Sequence, residues 1–184
     1  MGARVRRLWN VCWGLSVLVL AFKASAQRYP FFNIGIEQGL IQSQVSSLVQ
    51  DKQGHLWAGT LGGISCFDGH TFRSFTKRDG LPSNEVSALA CDTQGNIWIG
   101  TSNGLSKFDG YRFTNYSLSG PDNPMGNQIM HVLVHGEDIY ASSFRLLTKL
   151  HNGKLEMIQL PRENAMPSGL VFDAIGDKTI MLLA

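Results

Sequence analysis

The stretch DKQGHLWAGTLGGISCFDGHTFRSF, residues 51–75, recurs as DTQGNIWIGTSNGLSKFDGYRFTNY over residues 92–116. Every residue that the two stretches share is displaced by 41 positions. Similarity at one fixed period of about 40 residues is typical of a fold in which one small unit is copied and stacked. The sequence therefore predicts a repeat protein.

The residues shared by the two repeats define a motif. Its structural positions include Asp51, Gly54, Trp57, Gly59, Phe67, Asp68 and Gly69 in the first repeat, and Asp92, Gly95, Trp98, Gly100, Phe108, Asp109 and Gly110 in the second. Short runs of β-forming residues alternate with turn residues in each repeat, which predicts four short strands. In the first repeat these strands, a to d, are expected over 45–50, 55–60, 64–67 and 71–76.

Both faces of the predicted sheet carry apolar or small side chains. On strand b, Trp57 and Gly59 point to one face, whereas Leu56, Ala58 and Thr60 point to the other, because side chains alternate along a strand. A four-stranded sheet covered on both faces and repeated at a constant period is typical of a β-propeller blade. We expect the tryptophan to fill the space between blades and the glycine to allow close approach of the next blade.

The combined motif D-x-x-G-x-[LI]-W-x-G-T-x-x-G-[IL]-S-x-F-D-G-x-x-F, followed by G-L-P and a new strand a, resembles a known repeat family. Over residues 39–118 the chain resembles the two-component regulator propeller repeat. This resemblance implies the extracytoplasmic sensor region of a bacterial two-component receptor, in which a seven-bladed propeller precedes a membrane helix and a histidine kinase. A saccharide is one ligand class that such a sensor is expected to bind.

The chain as a whole is expected to be all-β, an incomplete propeller of about three and a half four-stranded blades behind a signal peptide. The predicted parts are a signal peptide over 1–26 and an incomplete propeller over 27–184, with a lone outer strand at 31–38, blade 1 at 41–79, blade 2 at 82–118, a degenerate blade 3 at 127–160 and a partial blade 4 at 168–184.

The first 26 residues have the pattern of an export signal. Arg4, Arg6 and Arg7 precede an apolar run over 8–22, and small residues lead to a cleavage site between Ala26 and Gln27. An uncleaved anchor is the alternative, although the run is shorter than the roughly 20 residues that a spanning helix needs. We expect cleavage and a periplasmic location.

Removing that segment changes the charge of the chain. The mature chain keeps 12 of the 16 basic residues against all 14 acidic ones, so its net charge becomes −2. Nucleic acid is therefore not an expected partner. Cys66 and Cys91 remain, and they form a disulfide only if adjacent blades bring their Cα atoms within about 7 Å. Two half-buried thiols are the alternative.

The sequence lacks the common catalytic and cofactor motifs. It contains no Ser-His-Asp order, no Gly-rich phosphate loop and no H-E-x-x-H. His131 and His135 share one strand face but lie about 13 Å apart by strand rise, too far to bind one metal ion. We therefore expect no enzyme activity, cofactor or metal site in this chain.

Candidate ligand contacts lie on the loops that differ between the repeats. The b–c turns and d–a connections meet at one end of the blades, and rigid scaffolds commonly carry recognition on such loops. The candidates are Gln42, Gln44, Asn84, Glu85 and Asn103. Solvated loops without a ligand are the simpler interpretation.

Several partners and functions stay open at this stage. Expected partners are an extracytoplasmic ligand, the remaining blades of a propeller or a second copy of the chain, and the histidine kinase of the parent receptor. One alternative function is an exported propeller enzyme of the streptogramin-lyase type, which needs histidine and glutamate residues around a metal ion. Another is an interaction scaffold that does not signal.

Overall fold

The computed structural model describes residues 31–120, 124–143, 146–158, 170–175 and 178–183. The predicted signal peptide over 1–26 and its cleavage site at Ala26 and Gln27 lie outside the described residues. Contacts divide the chain into two units, Met1–Asn33 and Ile34–Ala184. All of the described strands belong to the second unit.

The second unit consists of antiparallel sheets whose strands neighbour one another in chain order. Blade 1 contains β1 (Val45–Gln50), β2 (Leu56–Thr60), β3 (Gly63–Phe67) and β4 (Phe72–Phe75). Blade 2 contains β5 (Val86–Cys91), β6 (Ile97–Thr101), β7 (Gly104–Phe108) and β8 (Phe113–Tyr116). Blade 3 contains β9 (Ile129–His135), β10 (Asp138–Ser143), β11 (Leu147–His151) and β12 (Lys154–Ile158). A hairpin of β13 (Leu170–Ile175) and β14 (Lys178–Leu183) follows.

This architecture is a partial β-propeller of three blades and half of another, as the sequence predicted. The strands of blade 1 begin and end within one residue of their predicted bounds. The agreement follows from turn chemistry, because the Asp and Gly residues between the strands form short reversals that leave little freedom in register.

A β-bulge near the start of strand a recurs in blades 1 and 2. The register between β1 and β2 shifts between Val45 and Ser47, and the register between β5 and β6 shifts between Val86 and Ala88. The bulge leaves Ser46 outside the regular ladder, where its hydroxyl reaches the backbone of blade 2. A bulge at this place therefore serves contact between blades as well as strand bending.

The core lies between successive blades. Trp57 of blade 1 stacks on Phe75 with ring centroids 6.0 Å apart, and it meets Phe108 of blade 2 at 5.6 Å. The same buried cluster contains Leu89 and Ile97 of blade 2. Burial of this apolar area is the main stabilising contribution that one blade makes to the next.

The glycine of strand b sets how closely two blades approach. A Cβ atom at Gly59 would lie 2.7 Å from Val86 Cγ1, and one at Gly100 would lie 2.7 Å from Ile129 Cγ2. Real Cβ atoms do not come this close to a neighbouring carbon, so any larger residue would push the blades apart. Glycine is required here for space and not for a special backbone angle.

The predicted outer strand at 31–38 is wrong. Ile36–Gln38 forms a turn of 3-10 helix, equivalent to the turn at Lys77–Asp79 one repeat later. Residues 31–35 have no strand assignment, and Phe31 and Phe32 are 94% and 83% exposed. A strand needs a neighbouring edge to satisfy its backbone groups, and no described strand pairs with this segment.

We predict that Gly100→Ala lowers the free energy of unfolding by about 1–3 kcal/mol, because the added methyl group overpacks the contact with Ile129. Urea unfolding followed by tryptophan fluorescence measures this change. Gly120→Ala is the control, since a Cβ at Gly120 meets nothing within 4 Å. Equal stability of the two variants would contradict the close-packing argument.

Candidate functional site

The predicted ligand loops lie at one end of the blades, and some of their polar groups hold the loops together. Gln42 is half-buried, and its Oε1 accepts a hydrogen bond from the Leu61 N–H at 3.0 Å. Asn84 is exposed, and its Oδ1 accepts from the Lys77 N–H at 2.7 Å. These two amides therefore fix the d–a connections against neighbouring turns.

Asn103 makes a weaker contact in blade 2. Its Nδ2 donates to the Pro82 carbonyl at 3.5 Å, and the hydroxyls of Ser83 and Ser102 lie 2.8 Å apart beside it. The side chains of Gln44 and Glu85 are exposed and form no hydrogen bond with the rest of the described chain. Of the five candidates, these two keep all of their hydrogen-bonding groups available for a ligand.

An open hollow of about 470 Å³ lies at the same end. Thr76, Lys77, Arg78 and Asn84 line it. It contains two cationic side chains on one exposed 3-10 turn and no buried polar group, so its geometry does not select a particular ligand.

The opposite end of the blades carries a hydrogen-bond network around the aspartates of the a–b turns. Asp51 Oδ1 accepts from the backbone N–H groups of Gln53 and His55, both at 2.9 Å. Asp51 Oδ2 accepts from Trp57 Nε1 at 2.9 Å and lies 3.0 Å from His55 Nδ1. One carboxylate thus fixes the a–b turn and orients the indole between the blades.

Blade 2 repeats this network with one change. Asp92 Oδ1 accepts from the backbone N–H groups of Gln94 and Asn96, and Asp92 Oδ2 accepts from Trp98 Nε1 at 2.9 Å. The Asn96 side chain takes the place of His55 and donates to Asp92 Oδ2 at 2.7 Å. The spacing D-x5-W, common to both repeats, was the signal that could have revealed this bond.

Electrostatics follow from these contacts. Burial raises the pKa of the Asp51 and Asp92 carboxyls, but hydrogen bonds from the tryptophan and the turn outweigh burial and hold both pKa values below the ordinary range. At the c–d turn, backbone N–H groups of Thr71 and His70 lower the pKa of Asp68 to about 2. These carboxylates are stabilised as anions, which disfavours a role as proton donors near neutral pH.

Cys66 and Cys91 are free thiols. Burial, together with the nearby carboxylates of Asp51 and Asp68, raises the pKa of Cys66 to about 11. Burial and the neighbouring Asp92 also raise the pKa of Cys91. Thiolate is the nucleophilic form, so neither thiol is activated for nucleophilic chemistry.

The degenerate third blade lacks both the aspartate and the tryptophan of this hydrogen-bond network. Its a–b turn shortens to Gly136 and Glu137, and Asp138 pairs directly with His135 across the hairpin. Tyr140 stands where Trp98 stands in blade 2. Without the longer turn there is no aspartate to accept an indole N–H, and without the indole there is no buried donor to satisfy.

No group of three or more His, Cys, Asp or Glu residues is arranged to hold a metal ion in the part of the chain that the structure describes. Within the same residues, no helix has the length and apolarity needed to span a membrane.

Comparison with known proteins agrees with the geometry of the repeats. A family model, the two component regulator propeller, matches residues 39–62 and 80–103. This chain carries two-component regulator propeller repeats. The matched segments contain the aspartate, the tryptophan and the glycine that join successive blades of the propeller.

A histidine kinase of Formosa agariphila, kinase P4, is 42% identical over 60 residues, which are 33% of this chain and 4% of the kinase. The extracellular domain of a B. thetaiotaomicron protein assigned to the hybrid two component systems is 28% identical, with a TM-score of 0.66. That match covers 78% of this chain and 23% of the domain. This chain thus spans only a small part of the length of the kinase and of the extracellular domain that it resembles.

Virginiamycin B lyase from Staphylococcus aureus shares the fold. Its TM-score is 0.55 at 17% identity, over 68% of this chain and 44% of the lyase. Identity this low supports a common propeller architecture and says nothing about the chemistry of this chain.

We predict that Asp92→Asn lowers the free energy of unfolding at pH 7 by about 1–3 kcal/mol, because an amide NH₂ would face the indole donor of Trp98. The folded-state pKa of Asp92 is lowered from 3.8, so its contribution is present above pH 4 and is lost as pH falls through the folded pKa. The difference from wild type should therefore shrink below about pH 4.

Urea unfolding between pH 7 and pH 3, followed by tryptophan fluorescence, tests this pH dependence. Glu137→Gln is the matched control, because this exposed acid lies at the same end without a bond to a tryptophan. A stability difference between Asp92→Asn and wild type that stays constant with pH would contradict the assigned role of the carboxylate.

Proposed function

We propose that this chain is a ligand-recognition segment of an extracytoplasmic sensor in a two-component system and has no catalytic activity of its own. The observation that carries the proposal is the joint match of the repeat family and of a solved extracellular domain of a hybrid two component system at 28% identity. The anionic carboxylates and protonated thiols of the blades favour binding over acid-base or nucleophilic catalysis.

The loop end offers a surface suited to recognition. Its connections are fixed by Gln42 and Asn84, while Gln44 and Glu85 keep exposed amide and carboxylate groups. A rigid loop end with available hydrogen-bonding groups loses little conformational freedom when a ligand binds. Asn103 would join these contacts if the ligand displaced its 3.5 Å bond to the Pro82 carbonyl.

A saccharide is the proposed ligand class. Amide and carboxylate oxygens both accept hydrogen bonds from hydroxyl groups, and the amide NH₂ also donates them. A polyhydroxylated ligand can therefore form hydrogen bonds with every group on this surface. The Lys77 and Arg78 side chains beside Asn84 could add contacts to an acidic sugar.

Signalling requires the rest of a receptor. We propose an exported chain, cleaved between Ala26 and Gln27, that lies at the periplasmic face of the inner membrane and acts on a histidine kinase. A ligand would change the activity of the kinase only if it bound two arrangements of the blades, or of the receptor subunits, with different affinities. Further blades, or a second copy of the chain, are the proposed neighbours within that receptor.

We predict that a member of a panel of neutral and acidic oligosaccharides raises the melting temperature of the signal-processed chain. At a ligand concentration of 100 Kd, binding adds about 2.7 kcal/mol to the free energy of unfolding. Calorimetric titration of the same oligosaccharide should show no heat of binding for the combined Gln44→Ala and Glu85→Ala variant. Glu137→Gln at the opposite end is the control and should bind normally.

Two outcomes would contradict the proposal. Binding that survives the combined loop variant would place the ligand elsewhere on the propeller. A chain that unfolds cooperatively but binds no member of the panel would argue for the interaction scaffold and against saccharide recognition.

A further inference from the structure

The residue paired with the aromatic ring of strand b is a lysine in two of the three blades. In blade 2, Trp98 of β6 pairs with Lys107 of β7, and the Lys107 ammonium lies 5.7 Å from the centroid of the indole ring. In blade 3, Tyr140 of β10 pairs with Lys149 of β11, and that ammonium lies 5.9 Å from the ring centroid. Both blades thus place a strand c lysine over the ring of strand b in a cation–π contact.

Blade 1 has the ring of this contact without the cation. Cys66 pairs with Trp57 at the equivalent position, and its thiol is uncharged at neutral pH. Among the residues that the structure describes, no lysine or arginine lies over the Trp57 ring. Arg73 pairs with Cys66 from β4, but its guanidinium lies over Phe75, 4.7 Å from that ring's centroid. The shorter side chain of Cys66 therefore leaves space beside the indole.

This space is part of a hollow between blades 1 and 2. The hollow has a volume of about 560 Å³, whereas the hollow beside Trp98 and Lys107 has about 360 Å³. Trp57 and Cys66 line the larger hollow, and Tyr111, which is 96% exposed, adds a second ring at its rim. A volume of this size is within the range of small-molecule sites.

The charges that line the hollow favour a cation. Three carboxylates, those of Asp51, Asp68 and Asp109, lie there with the single guanidinium of Arg73. After burial, the carboxylates of Asp51 and Asp68 are the largest causes that raise the pKa of Cys66, so the potential at this thiol is negative. An anionic ligand would be repelled at the same place.

A hydrogen-bond acceptor is also available. Asp68 Oδ2 accepts one hydrogen bond, from the Thr71 hydroxyl at 3.0 Å, and so keeps lone pairs for a further donor. Blade 3 shows how one ammonium group uses both kinds of contact, because Lys149 Nζ lies over Tyr140 and also pairs with Asp138 Oδ2 at 2.7 Å.

We propose that the hollow beside Trp57 binds a small alkylammonium ligand, whose cationic group takes the place that a lysine has over the ring in blades 2 and 3. The ammonium would lie over Trp57 and donate to Asp68, and its carbon chain would lie beside Cys66. The site is at the end opposite the ligand loops. The proposal therefore goes beyond the proposed function and does not depend on saccharide binding.

Titration with n-butylammonium chloride tests the proposal, because this ion is the side chain of lysine without its backbone. The indole N–H signals of Trp57 and Trp98 in the NMR spectrum of the signal-processed chain report the two hollows separately, at constant ionic strength. We expect a saturable shift of the Trp57 signal. The control n-butanol, which has the same carbon chain without the charge, should give no saturable shift.

Three variants make the result decisive. Cys66→Lys should weaken binding by roughly tenfold or more, because the new lysine itself occupies the position over the ring. Cys66→Ala is the matched control, since it removes the thiol without adding a cation, and it should bind as the wild type does. Lys107→Ala is the converse test and should create a saturable shift of the Trp98 signal.

Three outcomes would overturn the proposal. One is a Trp57 signal that does not shift in the wild type or in Cys66→Ala. Another is an equal shift with n-butanol, which would show an apolar hollow without selection for charge. The third is unchanged binding by Cys66→Lys, with the Trp98 signal at its wild-type position as evidence that the blades are folded. The oligosaccharide titration reports on the other end, so the failure of either proposal is recognised separately.

Discussion

The structure depends on an indole ring held between two sheets. Trp57 is 6% exposed, and its ring contacts Phe75 of its own blade and Phe108 of the next blade. Burial of the ring would be costly if the indole N–H lacked a partner, and Asp51 supplies that partner at 2.9 Å. The opposing glycine then allows the next blade to approach. Packing between blades and the chemistry of the a–b turn are therefore one linked constraint.

This constraint explains why the repeat tolerates change in some places and not in others. Blade 3 replaces the tryptophan with Tyr140 and shortens its turn to Gly136 and Glu137, and it still forms a four-stranded sheet. The sheet itself needs only alternating strands and tight reversals. What changes is the contact with the neighbouring blade, which in blades 1 and 2 requires the aspartate, the ring and the glycine together.

Most of the fold could be predicted from the sequence because the 41-residue period and the turn residues are local signals. The outer strand at 31–38 could not, since pairing depends on an edge that local sequence does not reveal. The candidate site was predicted only in position. Gln42, Gln44, Asn84 and Glu85 are all polar loop residues, and the sequence does not distinguish them. Gln42 and Asn84 accept hydrogen bonds from the backbone of Leu61 and Lys77, and this contact shows that they hold the loops and are not available to a ligand.

A double-mutant cycle between Trp57 and Phe108 tests the central claim most directly. Trp57→Leu, Phe108→Leu and the combined variant would be compared by urea unfolding, with circular dichroism as the readout. If the two rings join blades 1 and 2, their coupling energy should be about 0.5–1.5 kcal/mol. Effects that add to within about 0.3 kcal/mol would show that the two blades are not energetically joined through this contact, and would contradict the account.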